Sequence, residues 1–306
     1  MDNIILSTAS RALAFGTPLM LGSLGAVYAE RAGVVNLGME GMMILGALAG
    51  FAITKNSGSP LEGILIAAVV GMFAAGIHAF ISITLKANQY VSGLALSMFG
   101  LGLSSLLGKP FEGTPLFTQL ENVSIPGLSS IPGLGVFFTD QSPLSYFALI
   151  LGLVMWLVLY RSKLGVIIRS TGENPSAVDA LGGNVTLVRY ACVMFGGALA
   201  GIAGAFLSVA YRPAWTEGLT GGIGWIALSI AIFAAWNPLG AIGGSLFFGA
   251  LYSLSFSKLQ ESISPSLLKM MPFICVLLAL SLNALRKNSR SNVPEALGLP
   301  YQRGQR

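Results

Sequence analysis

The sequence predicts an all-α fold: a polytopic transmembrane helical bundle of about nine spans in a single domain, residues 1–306. Composition and the clustering of charges both predict it. Of the 306 residues, 54% are hydrophobic and only 9% are charged, whereas about a quarter of the residues in soluble domains are charged. The 39 glycines fit the same class, because small residues let membrane helices pack closely. So few charges cannot form a water-soluble surface.

The stretches between the charged residues predict the individual spans. Stretches without Asp, Glu, Lys or Arg cover residues 12–29, 41–54, 63–85, 87–108, 141–160, 190–211, 218–257 and 270–285. A span needs roughly 20 apolar residues. The stretch 218–257 is long enough for two helices, with a turn signal at residues 236–240 between them, which gives nine segments. The run 122–139 is rich in Pro and Gly and predicts an ordered extramembrane loop.

Basic residues predict the orientation of the bundle. The connection 161–189 holds four Lys or Arg and the tail 286–306 holds five, so the positive-inside rule places both on the cytoplasmic side. The connection 109–140 has one Lys against three acidic residues and is predicted to be extracytoplasmic. Nine spans then place the N-terminus outside. The net charge of +5 follows from this topology and does not indicate nucleic acid binding.

The connection 161–189 contains a predicted short helix. Asn174 suits the N-cap, Pro175 suits the first helical position, and Gly182 or Gly183 suits a left-handed stop. The result is about two turns, roughly 10 Å long, with Ala177, Val178 and Leu181 on one side. Such a helix is not stable alone in water. Two interpretations stay open: a linker turn lying on the lipid headgroups, or an element that docks on a partner.

Charged residues flank the connection after the first span. Glu30, Arg31 and Glu40 border a stretch in which Asn36 lies between glycines. In one interpretation these charges only anchor helix ends at the membrane interface. In the other, the helix is broken at membrane depth, which is tolerated where the backbone is buried in protein or lines a cavity. Asn36 and Glu40 would then face the translocation path.

Three further residues are candidates for the translocation path, each with a structural alternative. His78 is the single histidine and lies in the middle of a span, where an ionisable residue is a functional candidate. No partner carboxylate is evident, so we favour an interhelical hydrogen bond. Asn88 follows a tight turn and is expected to hydrogen bond at a helix end. Trp225, like Trp236, is typical of aromatic belts at the membrane interface.

No catalytic or metal-binding pattern is present in the sequence. It lacks the phosphate-binding pattern Gly-x-x-x-x-Gly-Lys-Ser/Thr, a metal-ligand spacing of His and Cys, and a plausible Ser, His and Asp set. We therefore expect neither metal nor cofactor, and no enzymatic activity in this chain. Cys192 and Cys275 are expected to pack as small apolar residues.

Three strings resemble one family of membrane proteins. Residues 169–182, Arg-Ser-Thr-Gly-Glu-Asn-Pro-Ser-Ala-Val-Asp-Ala-Leu-Gly, resemble the coupling loop of ABC importer permeases of the ribose and branched-chain amino acid type. Residues 30–46 and 216–240 resemble the early and later signatures of the nucleoside and simple-sugar branch. The length of the chain resembles that of the smaller member of the permease pair.

The resemblance implies a permease subunit of an ATP-driven importer for nucleosides or related simple sugars in the bacterial cytoplasmic membrane. Besides membrane lipid, it implies three protein partners. These are an ATP-binding subunit that hydrolyses ATP, a second permease subunit and an extracytoplasmic substrate-binding lipoprotein. In that family the short helix of the coupling loop sits in a groove of the ATPase. The predicted ATPase-coupling residues are therefore Gly172, Glu173, Asn174, Pro175, Ala177, Val178, Leu181 and Gly182.

Two alternatives and one symmetry hypothesis accompany this prediction. A self-contained secondary transporter of a small neutral solute would need coupling-ion carboxylates inside the spans, and a membrane enzyme would need a polar cluster. The symmetry hypothesis is an inverted repeat. After the first span, Glu40-Gly41 lies at the start of an apolar segment that begins on the cytoplasmic side. After the sixth span, Glu217-Gly218 lies at the start of one that begins on the outer side.

Overall fold

A computed structural model describes residues 2–125, 139–254 and 293–302, with side chains from residue 11 onward, and single positions at 127, 135, 270, 274, 275, 277, 278 and 281. Within these residues the chain is helical and has isolated β-bridges but no strand. The helices are α1 Asp2–Arg31, α2 Met39–Ser57, α3 Pro60–Ala79, α4 Gln89–Gly108, α5 Pro143–Arg161, α6 Lys163–Glu173, α7 Pro175–Ala180, α8 Val185–Ala205, α9 Ile223–Phe233 and α10 Pro238–Leu254. Short π-helical segments extend α3 through Phe80–Thr84 and α8 through Phe206–Tyr211. The predicted all-α membrane bundle is confirmed.

Eight of the nine predicted segments coincide with helices, and the ninth, 270–285, lies largely outside the described residues. By length and composition, five described helices could cross a membrane: Arg11–Arg31, Pro60–Thr84, Gln89–Phe111, Pro143–Arg161 and Val185–Tyr211. The prediction was wrong for the first half of the stretch 218–257. Residues 217–222 form turns, which leaves α9 with 11 residues, roughly 16 Å and too short to span.

Glycine contacts bring the central helices close together. α1 and α8 run antiparallel, as one hydrogen bond shows: Arg189, near the start of α8, donates to the carbonyl of Ala32, just after the end of α1. They cross at Gly25 and Gly196, where a methyl group on either would lie 2.7 Å from the other's carbonyl oxygen. These helices are largely buried, whereas α3, α4 and α5 expose apolar side chains around them.

The arrangement of the helices supports an inverted repeat of α1–α2–α3 and α8–α9–α10. α10 packs on α1 as α3 packs on α8, and α9 lies beside α1 as α2 lies beside α8. The residue match that suggested the repeat was wrong, however. Glu40 lies buried in the first turn of α2, whereas Glu217 is an exposed turn residue six positions before α9.

The loops gather at two ends of the bundle. Residues 161–189 and 293–302 pack together at one end, which we call the basic end. Residues 109–125 lie at the opposite end, where bridges join them to the connection between α8 and α9. The cytoplasmic and extracytoplasmic positions of these ends stay predictions. The five basic residues of the tail 286–306 lie outside the described residues.

Candidate functional site

The chain between α1 and α2 leaves helical geometry over residues 32–38 while remaining almost entirely buried. Its backbone groups are satisfied by side chains of other helices. The N–H of Val35 donates to Oε1 of Gln89 at 2.8 Å, and the carbonyl of Val35 lies 3.0 Å from Nε2 of His78. The hydroxyl of Ser97 donates to the carbonyl of Leu37 at 2.7 Å. One of the two interpretations left open, an interruption of helical geometry, matches these residues, and burial in protein permits such an interruption. Its depth in the membrane stays a prediction.

Two candidates for the translocation path have inward-facing side chains. Asn36 accepts a hydrogen bond from the N–H of Gly38 at 3.0 Å, and its Nδ2 lies 3.5 Å from the sulfur of Met42. His78 is also buried and bonds through Nδ1 with the hydroxyl of Ser92 at 3.0 Å. The interhelical hydrogen bond favoured for His78 is thus confirmed. A path-lining role of either residue stays a prediction.

Glu40, in the first turn of α2, contacts the N-terminus of α9. One carboxylate oxygen accepts hydrogen bonds from the hydroxyl of Thr220 at 2.5 Å and the N–H of Gly222 at 2.9 Å, and the other accepts from the N–H of Gly224 at 2.7 Å. First-turn N–H groups have no partner within a helix, and the helix dipole favours an anion there. A methyl group at Gly224 would lie 2.6 Å from the Cα of Glu40, so this contact requires glycine.

The opposite end of α9 contacts the last residues of α1. Nε of Arg31 donates to the carbonyl of Trp236 at 2.9 Å, and Nη2 donates to the carbonyl of Ala235 at 3.1 Å. The indole N–H of Trp236 donates to the carboxylate of Glu30. Ala235 and Trp236 both have left-handed backbones, with φ of 51° and 55°, which ends the helix and turns these carbonyls toward Arg31.

These contacts decide between the two interpretations of the flanking charges. Only 2% of Glu30, 8% of Arg31 and 2% of Glu40 is exposed, so none of them is an interfacial anchor. Glu40 binds the N-terminus of α9, whereas Arg31 and Glu30 bind the turn that follows its C-terminal end. The helix dipole favours the charges of Glu40 and Arg31 at these positions, whereas Glu30 is held by the indole of Trp236. We call these interactions the helix-end contacts. The belt interpretation was wrong for Trp236, which is 6% exposed.

The remaining path candidates occupy helix termini. The exposed Asn88 is the N-cap of α4, and its side chain accepts hydrogen bonds from the N–H groups of Tyr90 and Val91 at 2.9 and 3.1 Å. This confirms the predicted hydrogen bonding at a helix end. Trp225 is half-buried in the first turn of α9. A path-lining role for these two residues also stays a prediction.

The predicted short helix is α7. Asn174 is its N-cap and accepts a hydrogen bond from the N–H of Ala177 at 3.0 Å, Pro175 is its first residue, and Gly182 has φ +82°. The predicted shared apolar face was wrong in one position. Val178 is 7% exposed and turns into the chain, whereas Leu181 is 90% exposed. Ala177 is also exposed, so the outward surface of α7 contains Ala177 and Leu181 without Val178.

The end of α6 joins α7 to the helix-end contacts. A methyl group at Gly172 would overlap the carbonyl oxygen of Arg31, so these two backbones touch. The carboxylate of Glu173 lies 3.9 Å from Nη1 of Arg31, the side chain that also binds the end of α9. Gly172 and Glu173 therefore connect α7 to the end of α1, in addition to preceding α7 in the chain.

Sequence reasoning missed the partners of the flanking charges. Thr220, Gly222 and Gly224 lie 180 to 184 residues from Glu40, and no local rule links them. One signal was available, because Glu40 and the glycines belong to the two strings that resemble the same branch. The helix α6 was also missed, although Ser162 is an N-cap residue whose side chain accepts from the N–H of Gly165.

Discontinuous helices inside an inverted repeat of apolar helices are characteristic of membrane transport proteins. Residues 8–280 match the family of branched-chain amino acid transport system permease components, and the chain belongs to this family. It is therefore a transmembrane permease of the ABC transporter class and a multi-pass protein of the cytoplasmic membrane. This assignment favours the permease prediction over the secondary transporter.

Three relatives match over nearly their whole length. The chain is 36% identical to the putative glucose ABC transporter permease protein TsgC13 of Haloferax volcanii, covering 94% of each chain. It is 36% identical to the guanosine ABC transporter permease protein NupQ of Bacillus subtilis, covering 96% of each. It is 34% identical to the nucleoside ABC transporter permease protein NupC of Lactococcus lactis, covering 94% of each.

A second permease of Bacillus subtilis also matches. The guanosine ABC transporter permease protein NupP is 26% identical over 82% of this chain and 74% of its own. NupP is therefore the longer protein of the two. No solved structure matches the chain.

Proposed function

We propose that this chain is the smaller member of a permease pair that imports nucleosides, or related simple sugars, with ATP hydrolysed by a separate subunit. The full-length matches to NupQ and NupC favour nucleosides, whereas the match to TsgC13 keeps glucose as the sugar alternative. The lower similarity to the longer NupP supports a pair of unequal permeases. A substrate-binding lipoprotein on the outer side completes the proposed importer.

The observation that carries the proposal is the placement of α7. It is a helix of six residues whose outward surface is exposed, and its N-cap directly follows Glu173. An isolated helix of this length is unstable in water, and here Asn174 at one end and buried Val178 hold it on the chain. A partner that docks on Ala177 and Leu181 would therefore meet a preformed surface.

The proposed coupling route runs from α7 to α9 through Arg31. A partner that moves α7 also moves Glu173, which lies beside the guanidinium of Arg31. That guanidinium binds the carbonyls of Ala235 and Trp236 in the turn that follows α9, and the carboxylate of Glu40 binds the N-terminus of the same helix. In this mechanism α9 is the moving element, since it is short and bound at both ends to charged residues of neighbouring helices.

In the part of the chain that the structure describes, the two buried carboxylates, Glu30 and Glu40, are both occupied by hydrogen bonds in this arrangement. Glu40 accepts three hydrogen bonds from α9 and the turn before it, and Glu30 accepts from the indole of Trp236. A secondary transporter would need such groups free to take up and release a proton or sodium ion. Their use in holding α9 favours an external energy source, namely a separate ATPase.

The replacement Ala177→Arg tests the docking of α7. It adds volume and charge to the exposed surface of a helix whose cap and buried contact stay intact, so we expect normal membrane insertion. Within a packed subunit interface the same change costs several kcal/mol, on the order of 3. Substrate-stimulated ATP hydrolysis should therefore fall about a hundredfold in the complete transporter.

The matched control is Phe117→Arg. Phe117 is 99% exposed at the opposite end of the bundle, so this change adds the same charge far from α7. We expect wild-type stimulation for the control. Wild-type stimulation of the Ala177→Arg transporter as well would contradict docking at α7 and leave this helix as a linker on the lipid headgroups.

A further inference from the structure

The segment Val293–Gln302 lies in a groove at the basic end. The N–H of Ala296 donates to the carbonyl of Gly172 at 2.8 Å, and the N–H of Gly298 donates to the carbonyl of Gly33 at 3.2 Å. Ala296 is buried at 7% exposure. The segment therefore bridges two backbones: the one that leads into α7 and the one that breaks between α1 and α2.

A buried cation fixes the far part of this segment. Arg189, in the first turns of α8, is only 1% exposed. Its Nη1 donates to the carbonyl of Leu299 at 3.0 Å, and its Nε donates to the carbonyl of Ala32 at 3.2 Å. Buried charges require such partners. The backbone carbonyl of Leu299 is thus held in place, while the residue as a whole remains 57% exposed.

The outward side of the segment continues the exposed surface of α7. Residues 174–176 and residues 299–302 line opposite sides of one open hollow of about 340 Å³. The exposed side chains there include Leu299 and Pro300 beside Asn174 and Ser176. A protein large enough to cover α7 would therefore also meet this segment.

We propose that Val293–Gln302 and α7 form one docking surface for the ATP-hydrolysing subunit. This inference rests on the proposed function and adds a second element to its interface. The occupant is inferred from continuity with α7, because residues of α7 and of the segment line the same hollow. Anionic headgroups attract clusters of Lys and Arg, and in this chain the five basic residues of the tail flank the segment rather than belong to it. Among residues 293–302 the one charged side chain is Glu295, and apolar residues predominate.

The first test compares Leu299→Glu with Ala177→Arg and Phe117→Glu in the complete transporter, by co-purification of the ATP-hydrolysing subunit from membranes. Leu299 serves the fold through its carbonyl, so replacing its exposed side chain should leave the permease level unchanged. A buried charge without a partner weakens an interface. We expect at least a tenfold loss of the ATPase subunit, about 1.4 kcal/mol, with Leu299→Glu and with Ala177→Arg, and none with Phe117→Glu.

The outcomes separate this inference from the proposed function. Loss with Ala177→Arg and retention with Leu299→Glu would overturn the shared surface and leave docking at α7 intact. Retention with both variants would overturn docking itself, and the inference with it.

Maleimide labelling of Gln302→Cys in a Cys275→Ser background gives a second, independent measurement, because Gln302 is exposed. We expect the ATPase subunit to slow labelling at least tenfold in membranes that contain both permeases. Equal labelling with and without that subunit would overturn the inference. Protection already complete in its absence would assign the surface to lipid or to the second permease.

Discussion

Glu40 lies where two helices begin. It is in the first turn of α2, and its carboxylate accepts hydrogen bonds from Thr220, Gly222 and Gly224 around the first turn of α9. The first N–H groups of a helix need partners outside it, and both helix dipoles favour a negative charge at this point. One carboxylate therefore stabilises the ends of two helices and joins elements far apart in the chain.

Replacing Glu40 by Gln should destabilise the protein. Glutamine has a single acceptor oxygen and places an NH2 donor against the N–H groups of α9, so at least one hydrogen bond to a charged group is lost, worth about 1.5–3 kcal/mol. We expect a lower midpoint of thermal unfolding in detergent and reduced substrate uptake. Glu217→Gln is the control, since Glu217 is exposed in the turn before α9. Equal midpoints for the two variants would contradict the role of Glu40.

The charged residues near the first connection could be identified from the sequence, but their buried environment could not. Glu30, Arg31 and Glu40 were recognisable because charges are rare here and these three flank a connection that contains two glycines. Their partners are carbonyls, N–H groups and an indole contributed by residues about 200 positions away. Backbone groups carry no sequence signal, so tertiary packing alone reveals these bonds.

At the scale of the elements, the helix starts were the most predictable features. Asn174 and Asn88 cap α7 and α4 as their residue types suggest. The length of α9 was not predictable by counting apolar residues. Gly218, Gly221 and Gly222 have φ of 66°, 53° and 87° and form the turns before it, but these glycines also fit a charge-free span. A rule that counts apolar residues and ignores glycine conformation therefore overestimates the length of such a helix.

Small residues explain how the central helices approach one another. Gly46 and Gly50 of α2, and Gly197 and Gly201 of α8, have the small-x-x-x-small spacing that lets helices pack closely, and they make contacts inside this chain. A methyl group at Gly46 would lie 2.5 Å from the Cα of Gly201. Backbone cannot move aside as a flexible side chain can, so these positions demand glycine.

Gly46→Ala should therefore lower stability despite the better helix propensity of alanine. Overpacking of this kind costs about 1–3 kcal/mol, which exceeds the roughly 0.5–1 kcal/mol gained by replacing a helical glycine. We expect a lower midpoint of thermal unfolding in detergent. Gly102→Ala is the matched control, because nothing lies within 4 Å of the added methyl group and the helix should be unchanged or slightly more stable. A Gly46→Ala protein as stable as the control would refute the close contact.

At the scale of the whole molecule, the described helices include two antiparallel units, α1–α3 and α8–α10, around the crossing of α1 and α8. In each unit a long helix is followed by an irregular stretch and then a helix that packs beside the other long helix. The two irregular stretches differ in role, since residues 32–38 are sealed by neighbouring helices while residues 217–222 are turns. The sequence predicted two opposed units but matched the wrong dipeptides, because what repeats is packing geometry and not residue identity.

The charges of the described spans also limit the chemistry of the substrate. Glu40 binds the first turn of α9, Glu30 and Arg31 bind the turn that follows α9, and Arg189 binds backbone carbonyls at the basic end. A phosphate entering the membrane region would need new cationic partners, since burying an unpaired charge is expensive. Each of these buried charges already binds groups of the fold, which favours an uncharged substrate.

Competition for uptake tests this expectation in cells that carry the complete transporter. Unlabelled neutral nucleosides in excess should abolish uptake of a labelled nucleoside, whereas the corresponding nucleoside monophosphates should leave it unchanged when phosphatases are inhibited. The physical reason is the cost of desolvating the phosphate, several kcal/mol or on the order of a thousandfold in affinity. Equal competition by both forms would contradict an uncharged path. Competition by glucose without competition by nucleosides would assign the transporter to simple sugars, as the similarity to TsgC13 allows.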